Sequence, residues 1–123
     1  MRVLHLPSAV GGNGWNLSQG ERGLGIESKV LNIGDNCFGF KCDIKKDWQK
    51  NKFTYPLKAL KFYKEELKKY DILHFNFGRT IFDYKNSLIN MIDLPFLKHY
   101  GIKIVVTYQG SDARLASYCI NNY

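Results

Sequence analysis

Arg2-Val3-Leu4-His5-Leu6, followed by Pro7 and the run Ser8-Ala9-Val10-Gly11-Gly12-Asn13-Gly14, decides the fold. A short apolar stretch that breaks into glycines and then into a helical pattern reads as a strand–loop–helix unit. The spacing predicts a helix from about Trp15 to Leu24, with Leu17, Gly20, Glu21 and Leu24 in phase and Gly25 closing it. A glycine loop placed there lets the backbone pass close to a ligand. It also leaves free N–H groups at a helix N-terminus, which favours phosphate or another anion. Gly11, Gly12, Asn13 and Gly14 are therefore the first candidate binding residues. The run completes neither G-x-G-x-x-G, because Leu17 holds the last glycine position, nor a P-loop. A plain turn accounts for it as well as a phosphate loop does.

Outward from this unit, strand and helix patterns alternate. Ser28 to Ile33 is a second strand. Phe38, Phe40, Cys42 and Ile44 alternate with polar or small residues, which predicts a half-buried strand near a sheet edge. A helix is expected from Pro56 to Lys69, with Leu57, Leu60, Tyr63 and Leu67 close to one face. Ile72 to Phe77 is a third strong strand. A helical stretch from about Ser87 restarts at Pro95 and stops at Gly101, and Ile102 to Tyr108 is the most apolar strand. This is the grammar of an α/β protein with an open, mostly parallel, Rossmann-like sheet and helices on both faces.

Ligands of such sheets sit at the carboxyl ends of the strands, where the strand order reverses. That geometry nominates His74 and Asn76 on the third strong strand. It also nominates the loop Gln109, Gly110, Ser111, Asp112 and Arg114. There Asp112 would accept hydrogen bonds from hydroxyls and Arg114 would pair a charged group. The competing reading makes Ser111 or Asp112 the N-cap of a last helix. A strand histidine such as His74 is more often a satisfied core residue than a catalyst, and His5 and His99 carry no pattern. No Ser/His/Asp or paired-carboxylate catalytic set and no metal site assembles from the spacing. The run Ile102, Ile104, Val105 and Val106 expects cover on both faces and a strand neighbour. A chain truncated after its fifth strand, or dimerising through that edge, would supply them.

The 123 residues suit one domain, and 45% hydrophobic, 24% charged and three prolines exclude a disordered tail, a collagen and a coiled coil. No apolar run reaches the ~18 residues that span a bilayer, and residues 1–7 do not form a signal peptide. A cytoplasmic protein is expected, in which Cys37, Cys42 and Cys119 are small buried hydrophobes. Between Lys41 and Lys69 lie ten lysines and four acids, so six of the seven net positive charges fall in this stretch. Trp48, Phe53, Tyr55, Phe62 and Tyr63 interleave with them. An ordinary solvated helix face explains this. The functional alternative is contact with an anionic lipid surface or a phosphorylated acceptor through Lys58, Lys61, Lys64 and Lys68. No nucleic-acid motif accompanies the charge.

Together the motifs resemble the N-terminal domain of the retaining, nucleotide-sugar-dependent GT-B glycosyltransferases. Met1 to Leu6 leads into Gly11-Gly12. Arg22-Gly23-Leu24-Gly25-Ile26-Glu27-Ser28-Lys29-Val30 is similar to the family's lead into its second strand. Asp71-Ile72-Leu73-His74-Phe75-Asn76 is similar to its D-x-x-H-x-H strand. Leu94-Pro95-Phe96-Leu97-Lys98 with Gly101 to Arg114 resembles its strongest N-domain signature. The likeness spans nearly all of the chain and about a third of a whole enzyme. It implies a sugar transferase of polysaccharide-biosynthesis type whose residues 1–123 form the acceptor-side domain, with a donor-binding C-terminal domain absent and the isolated chain inactive. The Gly11-Gly12 loop would approach the donor phosphates and the acceptor, a glycan or lipid-linked sugar, and Gln109 to Arg114 would line the cleft. The nucleotide-sugar would be a co-substrate, with no cofactor and no metal, because helix N-termini and basic side chains stabilise the leaving diphosphate. Gln109 stands where many relatives carry histidine, and Asn76 replaces the second strand histidine. Glutamine can hydrogen-bond a hydroxyl but cannot take its proton. The reading from another class is a stand-alone Rossmann-like module that binds an anionic ligand or an acidic surface.

Overall fold

The computed structural model describes residues 1–34, 38–48, 53–82 and 91–108. Five parallel strands, β1 (Arg2–Leu6), β2 (Glu27–Ile33), β3 (Ile44–Lys46), β4 (Ile72–Asn76) and β5 (Lys103–Thr107), lie in the order β3-β2-β1-β4-β5. The helices are α1 (Asn13–Gly23), α2 (Tyr55–Glu66) and α3 (Leu94–His99). This is a Rossmann-like α/β fold. The connection through α1 steps from β1 to one side, whereas those through α2 and α3 step to the other. Right-handed crossovers then place α1 on one sheet face and α2 with α3 on the opposite one.

The two faces differ in chemistry. Leu4, Leu6, Leu31, Ile33, Leu73 and Phe75 point to the α2/α3 side, where they join Tyr55, Ala59, Phe62, Tyr63, Ile81 and Leu97 in one apolar cluster. Burial of this surface, at roughly 25 cal/mol per Å², is the main force holding the domain. The alternate residues His5, Ser28, Asn32, His74 and Asn76 point to the α1 side and are buried as well.

Aspartates set two strand starts. Asp71 accepts from the Arg2 backbone N–H at 2.7 Å while its own N–H donates to the Arg2 carbonyl at 2.8 Å, just before β4. Asp43 repeats the pattern against Val30, at 2.8 and 2.9 Å, just before β3.

Three sequence expectations are corrected. Phe38 to Asp43 is not strand; only Ile44–Lys46 pairs, with Ile44 opposite Leu31. The ten residues 34–43 must carry the chain from the end of β2 back to the start of a parallel neighbour, and such crossovers usually need a dozen or more. The connection therefore consumes the alternating segment. Second, α1 turns Gly14 and Ser18 inward and leaves Leu17 and Leu24 exposed. Third, α2 buries Tyr55, Ala59, Phe62 and Tyr63, and Leu57 and Leu60 face outward. The helical stretch expected from Ser87 falls partly outside the described residues, and Pro95 sits in the first turn of α3 as expected. β5 is an edge strand among the described residues. Its Ile104 and Val106 pack on the apolar core, but Val105 is 45% exposed on the other face, so the expected double cover is not seen there. Cys42 is half-buried with a free thiol.

Candidate functional site

The chain leaves β1 toward β2 and returns on its other side as β4. The crevice between the carboxyl ends of β1 and β4 is thus the topological switch point of the sheet. Gly11 (φ +75°) and Gly12 (φ +71°) bring the chain into α1 there. Gly12 is the N-cap residue in the left-handed conformation, and among the described residues no side chain caps the helix. A side chain at either glycine would strain the backbone. Gly14 serves a different end from the ligand approach expected of it. A Cβ at Gly14 would lie 3.1 Å from Asn76 Nδ2 and 3.4 Å from His5 Cβ, so its bare backbone lets α1 press onto β1 and β4.

Asn76, the last residue of β4, meets that first helical turn. Its Nδ2 donates to the Ser8 carbonyl at 3.3 Å, whereas its buried Oδ1 has no partner among the described residues. The Ser8 carbonyl fixes the orientation, because a flipped amide would set oxygen against oxygen. Beside it, Asn32 Oδ1 accepts from the Ala9 N–H at 2.9 Å and ties the loop to β2. Beyond Asn76, Phe77 (φ +61°) and Gly78 (φ +59°) turn the chain. A Cβ on Gly78 would overlap the Tyr108 ring, so glycine is required both by conformation and by space.

Beneath the rim runs a buried polar chain. His5 Nε2 lies 2.9 Å from Glu21 Oε2, His5 Nδ1 lies 2.7 Å from His74 Nδ1, and His74 Nε2 lies 3.1 Å from Thr107 Oγ1. Burial pushes the Glu21 carboxyl up, but the Ser28 hydroxyl and the His5 imidazole more than offset this, and it is held below its ordinary value. Burial, aided by His5, lowers His74 and outweighs the pull of Glu21, which favours its neutral form. With Glu21 ionised and both rings neutral, one assignment fills every contact. His5 Nε2–H donates to Glu21, His74 Nδ1–H donates to His5 Nδ1, and the Thr107 hydroxyl donates to His74 Nε2. The chain orients Thr107 at the rim. Its rings are committed to each other, so His74 is a positioning residue here.

Gly11, Gly12, Asn13, Gly14 and Asn76 therefore converge on one crevice, with His74 one layer below. Gln109, Gly110, Ser111, Asp112 and Arg114 lie outside the described residues. Lys58, Lys61, Lys64 and Lys68 are exposed along α2 and its short 3₁₀ extension, away from the crevice. His5, Glu21, Thr107 and Asn32 were not singled out by the sequence. A faint signal existed in Gly14, Ser18 and Glu21, which share one helix face. The His5–His74 contact depends on β1 lying beside β4 with His5 opposite His74. Among the described residues, no group of three or more His, Cys, Asp or Glu side chains is arranged to hold a metal ion, and no helix is long and apolar enough to cross a membrane. No family model matches the chain, and comparison with curated proteins and with solved structures gives no match either.

Proposed function

We propose that this chain is the acceptor-side domain of a glycosyltransferase of GT-B architecture that draws on a nucleotide-sugar donor. The observation that carries this reading is the pairing at the switch point of two complementary features. The α1 N-terminus has no side-chain cap among the described residues and offers backbone donors to a phosphate. The Asn76 Oδ1 beside it, without a partner among the described residues, offers an acceptor to a hydroxyl. A phosphate next to a polyol is the chemistry of a sugar phosphate. The ordered motifs from Met1 through Tyr108 support the same assignment. In this reading the crevice binds and orients, and a second domain carries most of the donor contacts.

An NMR amide titration of the 123-residue chain with inorganic phosphate, glucose 1-phosphate and UDP-glucose tests it. Shifts should centre on Gly12, Asn13, Gly14 and Asn76, be larger for the sugar phosphate than for phosphate alone, and weaken in Gly12→Ala. Shifts confined to other parts of the chain, or efficient sugar transfer by this chain alone, would refute the acceptor-side assignment.

A further inference from the structure

We propose that the outward face of α2, together with α3, docks on an anionic membrane surface. The apolar residues of this face have no cover among the described residues: Leu57 is 68% exposed, Leu60 51%, Phe96 44% and Tyr100 58%. Leu60, Tyr63, Lys64, Lys68, Phe96 and Tyr100 line a groove of about 490 Å³ between the two helices, and the Phe96 and Tyr100 rings pack on each other at 4.7 Å. Leu57, Leu60, Lys61, Lys64 and Lys68 recur at three- and four-residue spacing, so the leucines and lysines share one stripe. Lys61 sits 3.8 Å from Glu65, whereas Lys58, Lys64 and Lys68 have no ion-pair partner among the described residues.

The composition of the stripe selects the occupant. Long lysine stems bend their ammonium groups toward lipid phosphates while the neighbouring leucines and aromatic rings enter the acyl boundary. Protein–protein interfaces are depleted in lysine and enriched in arginine, and Lys41 to Lys69 holds ten lysines without an arginine. A second copy meeting this face about a two-fold axis would set lysines against lysines. The chain's own segments outside the described residues carry only Asp35, Asp83 and Asp112 as acids, outnumbered by four basic residues, and cannot supply the complement. The proposal does not rest on the glycosyltransferase reading, since the crevice at the strand ends contributes none of these residues.

Co-sedimentation of the full chain with vesicles of phosphatidylcholine alone, and with phosphatidylserine at one lipid in three, tests it. Binding to the anionic vesicles only, falling steeply as salt rises, is expected. Joint replacement of Lys58, Lys61, Lys64 and Lys68 by Gln should lower partitioning by about a hundredfold or more. Leu57→Ser with Leu60→Ser should lower it about tenfold with the charge unchanged. These positions are solvent-facing, and far-UV circular dichroism confirms that each variant is folded. Equal binding to neutral vesicles, wild-type binding by the lysine variant, no binding to either vesicle, or capture by soluble polyglutamate without vesicle binding would each overturn the proposal.

Discussion

The two faces of this sheet are built on opposite rules. Under α2 and α3 the strands present leucine, isoleucine and phenylalanine to a single apolar cluster. Under α1 they present histidine, serine and asparagine, and α1 answers with Gly14, Ser18 and Glu21 instead of leucines. The first face is held by area removed from water, which is non-directional and tolerates variation in detail. The second is held by directional pairs, and the cost of a buried unpaired polar group makes it sensitive to single changes. The glycine loop belongs to the second face. The apolar core lies on one side of the sheet and the glycine-loop crevice on the other.

Breaking the apolar face should have the largest effect. Phe75→Ala removes a fully buried ring from the cluster and should destabilise by about 3–5 kcal/mol in urea denaturation. On the polar face, Gly14→Val should cost about 1–3 kcal/mol. The added carbons would meet Asn76 and His5 where a Cβ already lies within 3.4 Å. It should also perturb the amide signals of the crevice, which Phe75→Ala, read below its unfolding transition, should not.

His74→Leu strands His5 Nδ1 and should cost about 1–3 kcal/mol, whereas His5→Leu with His74→Leu should cost less than the sum of the two single changes. Additive losses in that cycle would show that the two rings do not act as a pair. Acid should weaken the polar face selectively. Burial holds His74 below the ordinary imidazole value in the fold, so the unfolded chain takes up the proton first and stability falls as pH drops through that ordinary value. Glu21, held below the ordinary carboxyl value, adds a second loss at lower pH. One proton limits the slope to about 1.4 kcal/mol per pH unit. His74→Leu should flatten the melting temperature between neutral pH and the Glu21 range, and an unchanged pH profile would refute the assignment. The smallest effect is a gain. Gly20 lies in α1 with nothing within 4 Å of a Cβ, so Gly20→Ala should stabilise by about 0.5–1 kcal/mol without touching the crevice.

Much of the crevice was legible because its signals are local. Gly11 and Gly12 stand out as a turn between strand and helix, and the parity of His74 and Asn76 puts both on one face of β4. The rest needed partners distant in sequence. His5 gains meaning only when β1 pairs with β4, and Phe38 to Cys42 carries a strand pattern that the short return from β2 leaves no room to use. Leucine spacing misread both α1 and α2. In α1 a close approach to polar strands favours glycine and serine inward, and in α2 the aromatic residues fill the core ahead of Leu57 and Leu60.

By itself the sequence determined that strands and helices alternate, that the strands run parallel and that a glycine loop follows the first of them. These follow from periodicity and turn chemistry, which act over a few residues. The tertiary structure decided which side of each helix turns inward, that two histidines share a proton chain and that one asparagine oxygen lacks a partner. Those outcomes depend on the lateral order β3-β2-β1-β4-β5. Strand order is a competition among long-range pairings, and no short stretch of residues encodes it.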